Sequence, residues 1–259
     1  LNNYNFPSGL PHDPFIAELR IQRQDLSLRW CDARRALVLP DTSRSLFILP
    51  ANTPLAPEFA GRLDLRLVER IQLRPDDVDP YFDVFEWRPT AVRSRLLGSV
   101  SRAGTADGQV LELPVQFGDA MEFLGYDSNQ ATVAAGNAVS LATFWRVLQG
   151  DEAASSHPLG EVPDSAYGHE AAMFAHLLDE SGRLVAQEDR LDAPAWNWHP
   201  GDVIVQVHRI EVPADGPPGT YSLRVGIYSS ADGLERLPVL VNGDQVGDGL
   251  QLRPFEVGK

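Results

Sequence analysis

From Met121 onward the chain is a succession of short segments in which apolar and polar side chains alternate, each closed by Gly, Pro, Asp or Asn. That pattern restricts this half to sheets, because alternation at period two turns one side of a strand to a core and the other to solvent. In "AVSLATFWRVL", starting at Ala138, the residues Val139, Leu141, Thr143 and Trp145 share a face; in "TYSLRVGIYS", starting at Thr220, Leu223, Val225 and Ile227 do. "MEFLGYD", "AAMFAHLLD", "RLVAQED", "DVIVQVHRIEV", "RLPVLV" and "LQLRPFEV" are further strand candidates, and Asp179-Glu180-Ser181-Gly182 has the composition of a hairpin turn. Regularly spaced short strands with such turns predict an all-β antiparallel sandwich over residues 113–259, immunoglobulin-like or jelly-roll. In "GPPGTYSLRVGIY", Tyr221 stands where a tyrosine corner would place it, its hydroxyl bonding back to the preceding connection.

The first region, residues 1–112, mixes periods and predicts a small α/β or α+β unit. Pro14 opens a helical spacing through Phe15, Ile16, Leu19 and Ile21. "LSLRWCDARRALVLP" presents two apolar runs around Cys31 to Arg34, a hairpin candidate ended by Pro40. "SLFILP", "LRLVERIQLR" and "YFDVFEW" are strand candidates, and Pro57 to Arg62 a short helix. From Leu96 to Gly108 the chain is small, polar and weakly periodic, as a linker or long loop is, which puts the domain boundary near residue 112.

Twenty-two basic against thirty-six acidic residues give a net charge of -14, which repels a nucleic-acid backbone and an anionic membrane surface. The single cysteine, Cys31, can form neither an internal disulfide nor a paired-thiolate zinc site. No stretch approaches the roughly 18–20 consecutive apolar residues that span a bilayer, so direct membrane insertion is not expected. A start at Leu1 rather than Met reads as the cut end of something longer.

None of the six histidines, His12, His157, His169, His176, His199 and His208, has the spacing of a zinc-binding helix or the close carboxylate company of a metal loop. His176 and His208 lie within strand patterns, where a histidine bonded to a neighbour or facing water is the simpler reading than a ligand. There is no Gly-x-Ser-x-Gly elbow, Cys31 has no evident base, and "VNGDQVGDG" is a polar turn rather than a phosphate cradle. No catalytic residue, metal ligand or cofactor is therefore expected. The most suggestive local group is "APAWNWHPGD": Trp196 and Trp198, two apart, share a face on an extended backbone and could stack a sugar ring. The competing reading has one of them plugging the sandwich edge while Pro200-Gly201-Asp202 turns the chain.

Several phrases together resemble one family. "LRWCDARRALVLP", "LVERIQLRPDDVDPYFDVFEW", "FGDAMEFLGYD", "HLLDESGRLVAQED", "WNWHPGDVI" and "PPGTYSLRVGIYSSADGLERLPV" look like the C-terminal, membrane-external part of bacterial glycosyltransferases related to dolichyl-phosphate-mannose protein mannosyltransferases and lipid-A arabinosyltransferases. The resemblance implies a soluble, non-catalytic domain pair on the extracytoplasmic face of the cytoplasmic membrane. Its partner would be the transmembrane catalytic part of the same polypeptide, which uses a lipid-phosphate sugar, and its role acceptor or glycan binding or bracing. Two alternatives stand beside it. A free-standing glycan-active hydrolase requires two carboxylates across a cleft; a surface protein-interaction module requires an exposed apolar patch.

Overall fold

Burial, not alternation alone, decides how the strands are layered. In the computed structural model, which describes residues 21, 25–98, 103–106, 109–128, 131–149, 171–195, 198–228 and 235–258, nearly all regular structure is antiparallel β. One sheet has seven strands in the order β1 (Ala36–Leu39), β13 (Val203–Glu211), β10 (Ala138–Val147), β8 (Met121–Asp127), β7 (Val115–Phe117), β15 (Val239–Val241) and β16 (Asp244–Gly247). A second sheet runs β12 (Leu184–Arg190), β11 (Ala172–Leu178), β14 (Gly219–Tyr228), β17 (Leu250–Gln251), β5 (Ala103–Ala106) and β6 (Gln109–Glu112). It is extended by β18 (Phe255–Gly258) on β14, and by the short parallel β9 (Thr132–Ala134) on β18. The third holds three strands, β2 (Ser45–Pro50), β4 (Tyr81–Trp87) and β3 (Arg66–Gln72).

The two large sheets face each other as a sandwich. Val139, Leu141, Trp145 and Val147 of β10 meet Met173, Ala175 and Leu177 of β11 and Leu223, Val225 and Ile227 of β14 in one core. Trp145 is fully buried, with the rings of Phe117 and Phe123 4.9 and 4.7 Å away. The turn at Asp179–Gly182 forms as its composition predicts: Gly182 takes φ +79°, and Asp179 accepts bonds from the Ser181 hydroxyl and the Ser181 and Arg183 N–H groups. Led by the Ser181 hydroxyl, these bonds hold the Asp179 carboxyl down to about 2. Tyr221 is 3 % exposed and its hydroxyl donates to Pro217 O at 2.9 Å, the tyrosine corner.

The seven-stranded sheet has a second buried face. Leu37 and Leu39 of β1, Val203, Val205 and Val207 of β13, and Ala142 and Phe144 of β10 pack against Phe59, Leu63, Trp87, Val92 and Leu96. Leu63 apart, which lies in the connection to β3, these last residues belong to a short 3-10 turn (Pro57–Phe59), the three-stranded sheet and helix α1 (Pro89–Leu97). A strand covered on both sides loses its alternation, and for that reason "ALVL" and "VIVQVHRI" read as almost unbroken apolar runs. Polar ties add to the contact: Arg209 Nη2 lies 2.8 Å from Glu58 Oε2, and Arg62 Nη1 2.6 Å from Asp127 Oδ2.

The first region therefore differs from the expected α+β unit. The hairpin around Cys31 to Arg34 does not form; β1 instead pairs with β13, Ala36 opposite Gln206, because a run buried on both faces needs a central-sheet neighbour. Residues expected as a linker supply the end of α1 and β5, which pairs with β6 just beyond them and joins the second sheet through β17. The expected helix at Pro57–Arg62 contracts to the 3-10 turn. The helical spacing from Phe15 falls, Ile21 aside, outside the described residues.

At one border of the sandwich, β12 turns charged side chains inward. Glu188 and Arg190 stand opposite Ala175 and Met173, which face the core. Arg190 reaches Glu188 at 3.1 Å and Asp192 through a short bond, Arg35 approaches Glu188 at 3.4 Å, and Gln206 Nε2 donates to Asp192 at 2.7 Å. His208 sits behind this group, completely buried, its Nδ1 3.8 Å from Glu188 and neither ring nitrogen hydrogen-bonded. Burial, then the nearby Arg190 charge, pushes its pKa down to about 3, so the ring is neutral in the folded protein.

Candidate functional site

The outward face of the second sheet brings together aromatic and planar polar groups. On β11, Phe174 and His176 point opposite to Met173 and Ala175; on β14, Arg224, Gly226 and Tyr228 point opposite to Val225 and Ile227. Phe174 lies directly over Gly226, where a Cβ would come within 2.4 Å of its ring. Only glycine leaves room for the ring to lie against the sheet there. His176 and Tyr228 flank it with centroids at 4.6 and 5.0 Å, and the Arg236 guanidinium stands 4.8 Å above it.

Hydrogen bonds fix the polar groups around these rings. Asp248 holds Arg224 through a short bond and Arg236 at 3.1 Å, and Arg236 Nη2 lies 3.4 Å from the Tyr228 hydroxyl. Desolvation works against the Arg236 charge, but the bonds from Tyr228 and Asp248 outweigh it and its pKa is raised. On the other flank Asp189 pairs with His176 at 3.2 Å and accepts from Gln187 at 3.0 Å. The strip keeps solvent contact: Asp248 is 40 %, Arg224 28 % and Arg236 27 % exposed at the side chain. Guanidinium, carboxylate, imidazole and amide groups are thus held in place beside a partly buried tyrosine ring. Such a surface can meet a ligand that offers vicinal hydroxyls and an apolar face.

Of the two tryptophans singled out from the sequence, Trp198 lies elsewhere. Trp198 follows β12 in the connection to β13; its indole N–H donates to Ala193 O at 2.8 Å and its ring packs, partly buried, against the sandwich core. Trp196 lies outside the described residues, as do His12, His157 and His169. His199 is near Arg29 and Asp202 and has its pKa lowered, by burial first and Arg29 second. Cys31 is partly buried, and desolvation pushes its thiol up to about 11, so little thiolate exists near neutral pH. It lines a recess of about 230 Å³ beside β2, whose described lining residues include no Asp or Glu. Among the described residues no group of three or more His, Cys, Asp or Glu is placed to hold a metal ion, and no helix is long and apolar enough to cross a membrane.

No family model matches the chain, and no curated protein matches it. The family resemblance read from the sequence thus has no matching family model behind it. Among solved structures, the C-terminal domain of wzt is 13 % identical, covering 56 % of this chain and 77 % of that chain at a TM-score of 0.36. A CARDB domain from Pyrococcus furiosus, in complex with di-metal ions, is 9 % identical over 57 % of this chain and 95 % of its own, TM-score 0.27. A β-glucosidase from Listeria innocua in complex with isofagomine is 12 % identical; 82 % of this chain spans 22 % of the enzyme, TM-score 0.29. None of these likenesses is close enough to transfer a function.

Proposed function

We propose that this chain is a non-catalytic sandwich module that binds a glycan on the outward face of its second sheet. One observation carries the reading: Tyr228 stands beside a bridge in which Asp248 holds both Arg224 and Arg236. Sugars present C–H faces to aromatic rings and pairs of hydroxyls to planar, bidentate groups. The wider context, an extracytoplasmic domain serving the transmembrane catalytic part of a glycosyltransferase on the same polypeptide, rests on the sequence phrases alone. About ten or more hydrophobic spans elsewhere in the full reading frame would be its test.

Titration calorimetry against a panel of bacterial oligosaccharides tests the binding. We expect Tyr228→Ala and Arg236→Ala each to weaken it by about tenfold or more, equivalent to about 1.4 kcal/mol, with Trp198→Ala much less affected. Loss of heat in Trp196→Ala and Trp198→Ala, but not in the strip variants, would move the site to the tryptophan pair. If no sugar gives heat above dilution, the glycan clause is wrong.

A further inference from the structure

The three-stranded sheet ends in β2, which among the described residues is paired on one side only. Its register against β4 runs from Ser45 opposite Trp87 to Pro50 opposite Phe82, and at the next step the Ala51 N–H donates to Tyr81 O. Antiparallel pairs alternate between bonded and non-bonded positions. Counting back from Ala51, the backbones of Ser45, Phe47 and Leu49 turn to β4, and those of Leu46 and Ile48 turn outward. Among the described residues no backbone group answers either one, and the only side chain to do so is Ser45, whose hydroxyl lies 3.4 Å from Leu46 O. Leu46 and Ile48 are also 59 % and 54 % exposed, which is unusual for large apolar side chains on a bare edge.

The recess lies along this edge. β2 forms one wall and residues 27–31 the other, with Thr53 and Trp87 also lining it. Thr53 and Trp87 are 2 % and 3 % exposed, and Thr53 Oγ1 and Trp87 Nε1 have no hydrogen-bond partner. Buried donors are almost always satisfied, so two orphans on one recess mark a place built to receive polar atoms.

We propose that the β2 edge takes up an extended peptide segment of a partner protein as an added strand. Leu46 and Ile48 supply the backbone pairing, and Thr53 and Trp87 hydrogen-bond the segment from the recess. The segment carries uncharged, apolar side chains at alternate positions, because among the described residues the one charged side chain lining the recess, Arg29, is already paired with Asp202. The recess is smaller than the ~300–1,000 Å³ that holds a compact drug-sized ligand, and suits the side chains of one strand. A second copy of this chain fits poorly, since its own β2 lies behind the same wall of residues 27–31.

The test is selection of a displayed library of eight-residue segments, with Val, Ile, Leu or Phe at every second position, against the intact protein and against Ile48→Pro. That variant removes an outward N–H and no ladder bond; its unchanged melting temperature controls for folding. Peptides enriched on the intact protein, once synthesised, should slow amide exchange at Leu46 and Ile48 at least tenfold, leave Phe47 and Leu49 unaltered, and fail to bind Ile48→Pro. No enrichment over Ile48→Pro, or binding without protection at Leu46 and Ile48, overturns the proposal. Protection that rises with protein concentration in the absence of peptide overturns it in favour of self-pairing.

Discussion

Gly226 shows how a missing side chain can organise a surface. Its lack of a Cβ lets Phe174 lie flat on the sheet, and the ring in turn seats His176, Tyr228 and Arg236. Gly226→Ala is expected to lower stability by about 1–3 kcal/mol through overpacking, read as a lower urea midpoint, and to weaken glycan binding. Adding Phe174→Leu, which withdraws the ring atoms from the clash, should recover part of the stability but not the binding. Tyr221 was legible in the sequence because its corner is built within four residues, Pro217 O to Tyr221 hydroxyl. The strip was not: Arg236, before β15, and Asp248, after β16, reach Phe174 and Arg224 from two different connections, and no local spacing records that meeting. Trp196 and Trp198 drew notice as a sequence pair, yet the bond from Trp198 to Ala193 leaves no trace in periodicity.

At the scale of elements, β10 and β14 were readable because each has one face in the core and one outside it, apart from the stretch of β10 under the third layer. For the opposite reason the sequence of β1 reads as a hairpin arm, which it is not. Four consecutive buried residues identify a doubly covered strand, but not which distant strand they lie beside. β13 combines such a run with a polar step at Gln206 and His208. His208 stays neutral when folded, beside Glu188, Arg190 and Arg35 and within the field of Asp189 on the outer flank, while an unfolded histidine titrates near 6.5. Its folded pKa is depressed, so acid favours the unfolded chain: the stabilising effect is full above about pH 6.5 and falls away toward pH 3 at up to about 1.4 kcal/mol per pH unit. His208→Leu should flatten the fall of melting temperature between pH 6.5 and 4 relative to the parent protein. Identical slopes would show that His208 is not the group protonated on unfolding.

For the whole molecule, the sandwich was legible and its third layer was not. Periodicity reports how many faces of a strand are buried, and it cannot say that the cover comes from Phe59, Trp87 and α1 earlier in the chain. A fragment of residues 113–259 would lack β1 and expose Val203, Val205, Val207 and Phe144. We expect it to aggregate or to melt well below the full chain, whereas residues 33–259 should retain a single cooperative transition, both read by calorimetry with light scattering.

The inward charges on β12 have a consequence for how molecules meet. A sheet margin whose side chains must give up Glu188 and Arg190 contacts before a stranger can dock is a poor template, and salt screens such half-buried pairs little. Contacts between chains are thereby steered away from this rim and toward the margins of the three-stranded sheet, where Leu46 and Ile48 on β2 and Leu67, Val68 and Ile71 on β3 stand open to neighbours.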